Sequence, residues 1–337
     1  MTQFKRVVRF MINRNDGASQ YDIQIDKALS DQSNEFSYIV KDINDFKSLP
    51  RVLALIIFWM RAQYILLFGQ VDVVIVSPWM MLIYPKYVSI ISIAHHYDPE
   101  VFKGIRKIYI KFSNWLFILQ RSRVNLVVSC SKYWSEYYRK KGFRYTETIL
   151  NGFDIDLMKK SVSNLDANLI LKRFDLVSKN YIHLGSYGPA KGQKIAIKFL
   201  KKFNLPMVAT NSAKLPLDSD LKDLKFINAS FEEYNVLLKH ARAVICMSEF
   251  KEGWCRVLHE AAIHSTPILG SGLGGMNELL EIGGFKPSSS ETLYDDFRAL
   301  MLNKSISNEK FDPYRTFTLE KFYTSWRHCI KKILHLN

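Results

Sequence analysis

Cysteine is scarce in this 337-residue chain. Cys130, Cys246, Cys255 and Cys329 are the only four, and no pair has CxxC spacing. That excludes a zinc ribbon and a disulfide-stapled scaffold; with no signal-peptide pattern at the start, reduced thiols in a cytoplasmic protein are expected. Low-complexity tracts, Gly/Ser linkers and internal repeats are also missing. Disorder is therefore not the default for a sequence that is 48% hydrophobic and 13% aromatic. The longest unbroken apolar run, Val52 to Met60, falls well short of the roughly 20 residues that span a bilayer. A protein lying on a membrane, and not through it, is the expectation.

Acidic residues are outnumbered, leaving a net charge of +15. Between Lys103 and Arg144 there are eleven Lys or Arg against one acid, Glu136, interleaved with Tyr109, Phe112, Trp115, Tyr133, Trp134 and Tyr137. A basic, aromatic, amphipathic region fits an anionic membrane surface, with Tyr109, Phe112 and Trp115 as inserting rings. The competing reading is a solvated helix face over an aromatic core. Nucleic acid is not expected as a partner, because no nucleic-acid module accompanies the charge.

The length suggests two domains. Val7 to Ile12, Phe36 to Val40, Val71 to Val76, Tyr87 to Ala94 and Val124 to Ser129 read as branched, buried-type strands separated by helical stretches. That alternation is an α/β pattern with a parallel sheet. It restarts at Tyr181 to Leu184 and continues through Pro206 to Thr210, Leu224 to Ile227 and Ala243 to Met247. Loops after such strands are where open α/β sheets bind ligands. The strand ending at Ala94 delivers His95, His96, Tyr97 and Asp98 into one of them. Another, Asn13 to Ser19, carries Asp16 and Gly17.

Cys246 to Glu281 is the most informative stretch. An apolar run reaches a turn at Ser248, Glu252 and Gly253 lie in the loop, and a helix from about Trp254 carries Arg256 and Glu260 to near His264, where Pro267 stops it. Gly270, Gly272, Gly274 and Gly275 then precede a second helix, whose first amides could face an anion. Two ionised carboxylates have only acceptor sites, which suits the vicinal hydroxyls of a ribose or a sugar. Both could also be solvated charges.

This pattern, Glu252-Gly253, Glu260, Pro267, Gly274-Gly275 and Glu278, resembles the donor-site signature of retaining glycosyltransferases of the GT-B fold, family 4. The turn Asn151-Gly152-Phe153-Asp154 is similar to the NGxD turn that closes the first domain in that family. Lys191-Gly192, after Gly185 and Ser186, matches its lysine-containing glycine-rich turn; Ser186 stands where the family commonly has arginine, and Arg256 is a substitute cation. The resemblance implies two Rossmann-like domains facing across a cleft. Residues 1–160 would bind acceptor, 161–318 would bind the nucleotide sugar, and a terminal helix, 319–337, would pack back on the first domain. It implies donor contacts from Gly17, Gly185, Ser186, Lys191, Glu252, Gly253, Trp254, Arg256, Glu260, Gly274 and Gly275. Within that set Glu260 would hold the ribose, Glu252 the sugar and Lys191 the diphosphate. His95, Glu252 and Lys191 would be catalytic, with Asp16, His96 and Asp98 as acceptor-side candidates.

No metal or other cofactor is expected: the motif region lacks a DxD, and Asp154 and the Asp218/Asp220 pair lie in turn-like contexts. The implied activity is hexosyl transfer to a glycan or lipid-linked acceptor in bacterial envelope polysaccharide or lipopolysaccharide assembly, on the inner face of the cytoplasmic membrane. The rival readings are a non-catalytic membrane-associated binding protein of the same fold and a GT-B-type epimerase or phosphorylase.

Overall fold

Ten strand and helix segments open the chain: β1 (Lys5–Met11), α1 (Gly17–Ser30), β2 (Phe36–Asp42), α2 (Arg51–Phe68), β3 (Val73–Val76), β4 (Ser89–Ala94), α3 (Gly104–Leu119), β5 (Leu126–Ser129), α4 (Lys132–Lys140) and β6 (Thr146–Thr148). Then follow α5 (Ile155–Ser163), α6 (Ala167–Arg173), β7 (Ile182–Ser186), α7 (Gln193–Leu200), β8 (Met207–Thr210), β9 (Leu224–Ile227), α8 (Phe231–His240), β10 (Ala243–Cys246), α9 (Arg256–Ile263), β11 (Ile268–Gly270), α10 (Gly275–Ile282), α11 (Leu293–Leu302) and α12 (Leu319–His335). The structure is a computed structural model, and it describes residues 5–11, 17–31, 35–188, 190–210, 221–302 and 307–335. Asp16, Asp218 and Asp220 lie outside the described residues.

The chain divides into two units, Met1–Gly152 with Leu319–Asn337, and Phe153–Thr318. In the first, six parallel strands run in the order β2-β1-β3-β4-β5-β6. β3 and β4 are buried along their whole length, as strands covered on both faces must be. α12 belongs to this unit. Its buried stripe of Phe322, Trp326, Ile330 and Ile333 repeats at helical spacing. Tyr21 of α1 meets Phe322 edge-on at 5.0 Å, and Arg327 Nε donates to Ala28 O at 3.1 Å.

In the second unit five parallel strands run β11-β10-β7-β8-β9. Both sheets are thus of the α/β type expected from the strand pattern. The division falls after Gly152, ahead of the boundary at 160, because α5 packs on α8 and goes with the second unit. Asp154, the last residue of the NGFD turn, is the N-cap of α5, where its carboxylate accepts from Leu157 N at 3.0 Å. That cap gives the turn a local physical purpose, and the short helices α5 and α6 follow it before β7.

The apolar helix that contains the Val52 to Met60 run extends beyond it on both sides. α2 covers 18 residues, enough by length and composition to cross a membrane, and only 22% of it is buried. Its buried positions, Ala54, Phe58, Ala62 and Leu66, form a single stripe, and Phe58, Ala62 and Leu66 join the first unit's core. Much of the aromatic content of the basic stretch is internal as well. Phe117, Trp134 and Tyr138 lie in that core, and Tyr109 turns from solvent to stack on Trp59 at 5.9 Å.

Candidate functional site

The order β11-β10-β7-β8-β9 sends the chain from β7 to β8 on one side and places β10 on the other. A parallel sheet that reverses direction in this way opens a crevice at the carboxyl ends of the two diverging strands. The loop after β7 carries Lys191, and the loop after β10 carries Glu252. Glu249 N donates to Ala190 O at 2.8 Å, tying the two loops together.

Lys191 Nζ lies 2.7 Å from Glu252 Oε1, and Ser248 Oγ donates to the same oxygen at 2.7 Å. The Glu252 side chain is 9% exposed and that of Lys191 is 34% exposed. Burial works against the lysine's charge, yet the Glu252 carboxylate holds its pKa above the ordinary value. The ammonium also lies 4.9 Å from the Phe250 ring centroid. Lysine and glutamate, expected to serve different parts of a ligand, are thus partners of each other.

Backbone geometry at Gly192 and Gly274 makes this possible. Gly192 caps α7 with φ 75°, and a Cβ there would stand 1.8 Å from Met247 O. Gly274 has φ 68°, and a Cβ would stand 2.6 Å from Glu252 O. Both positions require a left-handed backbone and a bare Cα at once. Gly275 N donates to Glu252 O at 2.9 Å, closing the loop. That amide opens α10 but is turned inward, a correction to the idea that it faces an anion. Gly185, with φ 69°, lets β7 pass the Cys246 thiol, and Ser186 O accepts from Gln193 Nε2 at 2.9 Å. Gly253 is buried beside Glu252.

On α9 the Glu260 carboxylate accepts from Tyr234 Oη at 2.8 Å and from Arg256 Nη2 at 3.3 Å. Arg256 is further occupied by the Phe153 ring, 4.5 Å from its guanidinium carbon. The cation proposed to replace the missing arginine is therefore engaged in holding Glu260. Trp254 is turned into the protein, where its indole N–H donates to His259 Nδ1 at 3.1 Å and its ring lies 6.1 Å from Phe317. It positions the Glu252 loop from behind and presents no face to a ligand.

His95 stands at the end of β4 in the first unit. Its Nε2 is 3.5 Å from Asp22 Oδ1, outside hydrogen-bond geometry, and the Tyr21 ring meets it edge-on at 5.0 Å. Burial opposes protonation of the imidazole, but Asp22 overrides it and raises the pKa to about 10. Asp22 is shared with Arg9, a buried guanidinium in the middle of β1 that also reaches Asp26 at 2.8 Å. Burial would raise the Asp22 pKa; Arg9 and His95 hold it below the usual carboxylate range. This Arg9–Asp22–His95 network was missed in the sequence, although a lone arginine inside an apolar strand demands a carboxylate partner. His96 lies edge-on to Trp79 at 5.9 Å, Asp98 caps the turn at Pro99–Val101, and Gly17 opens α1.

No family model matches the chain, and no curated protein sequence matches it. Solved structures do match. HepE of Anabaena in complex with UDP is similar at 16% identity with a TM-score of 0.71, over 97% of this chain and 100% of that one. Sucrose-phosphate synthase of Thermosynechococcus elongatus is similar at 13% identity with a TM-score of 0.75, over 99% and 100% of the two chains. The likeness extends to UDP-GlcNAc 2-epimerase of Methanocaldococcus jannaschii, at 13% identity, a TM-score of 0.56 and coverage of 98% and 100%. At such identities what is shared is the fold: two Rossmann-like domains of the GT-B type.

Proposed function

We propose that this protein is a glycosyltransferase that moves a sugar from a nucleotide-sugar donor to a hydroxyl group of a glycan or lipid-linked acceptor, with retention at the anomeric carbon. The observation that supports the proposal is the pairing of Lys191 with Glu252 where the strand order of the second sheet reverses, with Glu260 on α9, the helix that follows the Glu252 loop. Transfer breaks the bond from the anomeric carbon to the diphosphate, which departs with the electron pair, and forms a bond to the acceptor oxygen, whose proton passes to the departing diphosphate. The departing charge needs a cation, and Lys191 is kept protonated beside the start of α7. Ribose and sugar hydroxyls need acceptors, which Glu260 and Glu252 provide. In this reading Lys191 takes the role a metal would have, so turnover should persist in EDTA; a loss restored by Mg²⁺ or Mn²⁺ would count against it.

The likeness to an epimerase supports a second reading in which the nucleotide sugar is isomerised and no acceptor is used. A panel of nucleotide sugars is first screened by thermal shift, because a ligand bound only by the folded state raises its stability. Nucleotide release from the donor so found is then followed with and without glycan and lipid-linked acceptors. Acceptor-dependent release, with a product of unchanged anomeric configuration by NMR, supports glycosyl transfer. Donor isomerisation without acceptor would replace it with the epimerase, and donor binding with no turnover would leave a binding protein. For the biological setting we propose bacterial envelope polysaccharide or lipopolysaccharide assembly on the cytoplasmic side of the membrane.

A further inference from the structure

α2 and α3 each carry two apolar faces, and the protein covers only one of each. On α3 the buried stripe is Ile110, Ser113, Asn114 and Phe117, while Ile105, Ile108, Phe112, Trp115 and Leu119 are exposed, Ile105 to 86%. Steps of three and four residues place those five side chains in one line along the helix. On α2 the exposed line is Val52, Ile56, Met60 and Tyr64, continued by Leu67 and Phe68, with Val52 and Phe68 each 71% exposed. An amphipathic helix on a soluble domain turns a polar face to water. These two turn a line of apolar side chains to water as well.

The two lines adjoin. Trp59 of α2 stacks on Tyr109 of α3, 5.9 Å between centroids and 10° between planes. Ile56 is the helical neighbour of Trp59, and Ile105 and Phe112 are those of Tyr109, so both lines border the same seam. Further along, Gln63 of α2 exchanges hydrogen bonds with Ile83, and Gln120, at the end of α3, does the same with Leu82 and Tyr84. The segment Leu82–Tyr84 thus links the two helices, and Ile83 on it is exposed. An exposed apolar surface of this extent marks an interaction site.

We propose that this joined face of α2 and α3 inserts into the headgroup layer of an anionic bilayer, with both helices in the membrane plane. α2 does not span, because its opposite side, Phe58, Ala62 and Leu66, belongs to the core of the first unit. Neither helix contains an Asp or Glu, whereas Arg51, Arg61, Lys103, Arg106, Lys107 and Lys111 lie on or beside them. Glu100 pairs with Lys107 and, at 3.2 Å, with Lys111, and the surplus on this face is cationic. An apolar stripe with aromatic rings, flanked by long cationic side chains, has the chemistry of an interfacial helix. A second copy of the chain is disfavoured as the occupant, since a two-fold interface would set this basic margin against itself.

The test is flotation of the full chain with phosphatidylcholine vesicles, with and without phosphatidylglycerol. Parent protein should bind the anionic vesicles, weaken with salt and retain part of its binding at high salt, because screening acts on the charges and not on the apolar contact. The pairs Ile56→Glu/Met60→Glu and Ile108→Glu/Phe112→Glu, all at exposed positions, should each lower partition at least about tenfold while leaving the circular dichroism unchanged. Trp emission should shift to the blue on binding, and Trp115→Phe should remove most of that shift. Equal partition of parent and variants, equal binding to neutral and anionic vesicles, or a dimer by light scattering that Phe112→Glu dissociates with no vesicle binding would overturn the proposal. Nucleotide-sugar binding is measured alongside; its absence would count against the proposed function and leave this surface as it stands.

Discussion

One oxygen, Glu252 Oε1, accepts from both the Lys191 ammonium and the Ser248 hydroxyl, each at 2.7 Å. An arriving diphosphate must draw Lys191 from this carboxylate or share it. Under the proposed function, donor binding would replace or share one anion with another at the lysine and free Glu252 acceptor capacity for a sugar hydroxyl.

Lys191→Ala should abolish most turnover and also cost about 1 to 2 kcal/mol of stability, because Glu252 is left buried without its cation; the figure is discounted for the lysine's partial exposure. Adding Glu252→Gln to that variant should restore the stability and not the turnover. Denaturant midpoints of the two single variants and the double variant, read as a cycle, check this. A double variant as unstable as Lys191→Ala would show that the pair is not what supports the loop.

Glu260 is satisfied inside the protein by Tyr234 and Arg256. Glu260→Ala should weaken nucleoside diphosphate binding by about 1.5 to 3 kcal/mol, the scale of a hydrogen bond to a charged group. Tyr234→Phe should cost stability of about 1 kcal/mol, since a buried phenol bond is lost without a cavity. Its effect on nucleotide affinity should be smaller than that of Glu260→Ala. Titration calorimetry separates the two, and an unchanged affinity in folded Glu260→Ala would remove the ribose role.

Gly192→Ala places a methyl group 1.8 Å from Met247 O on a left-handed backbone. The backbone conformation alone costs about 1 kcal/mol or more, and the clash is with main chain that cannot turn aside. The loops after β7 and β10 would have to part, so donor affinity should fall with the melting temperature. A variant with parental melting temperature and affinity would show that the loops are not held as described.

The sheets were legible because four or five branched residues in a row, repeated between helical stretches, leave few alternatives to a parallel α/β fold. The loops and helix that carry Lys191, Glu252 and Glu260 were legible because glycines and a proline at fixed offsets mark their turns. What the sequence could not show is direction. Trp254 sits between Gly253 and Cys255 in the motif yet faces His259, and Tyr109 belongs to an exposed-looking basic helix yet packs on Trp59. The orientation of a side chain on a loop or helix depends on partners far along the chain. Arg9 had a readable signal, a charge inside a strand, but its partners Asp22 and Asp26 become visible only once α1 lies over β1.

The histidines give a pH dependence with opposite signs in the two units. Burial lowers His183 and His259 to about 3 and His264 to about 4. His259 is neutral for a visible reason: Nδ1 accepts from Trp254, leaving Nε2–H to donate to Tyr314 O at 2.9 Å. These three refuse, when folded, a proton that the unfolded chain takes up below about pH 6.5. Their contribution is complete above that pH and is lost as pH falls toward their folded values, at about 1.4 kcal/mol per pH unit for each group. His95, raised to about 10 chiefly against its own burial by Asp22, keeps a proton that the unfolded chain releases above about 6.5. Its contribution is complete below that pH and is lost as pH rises through 10. Stability should therefore peak near pH 6.5, with the acid limb belonging to the second unit and the alkaline limb to the first. Urea midpoints measured from about pH 5 to 9 should trace that maximum, and His95→Gln should flatten the alkaline side alone. A curve that rises steadily to pH 9, or a His95→Gln variant that keeps the alkaline fall, would show that Asp22 does not hold His95 in its charged form.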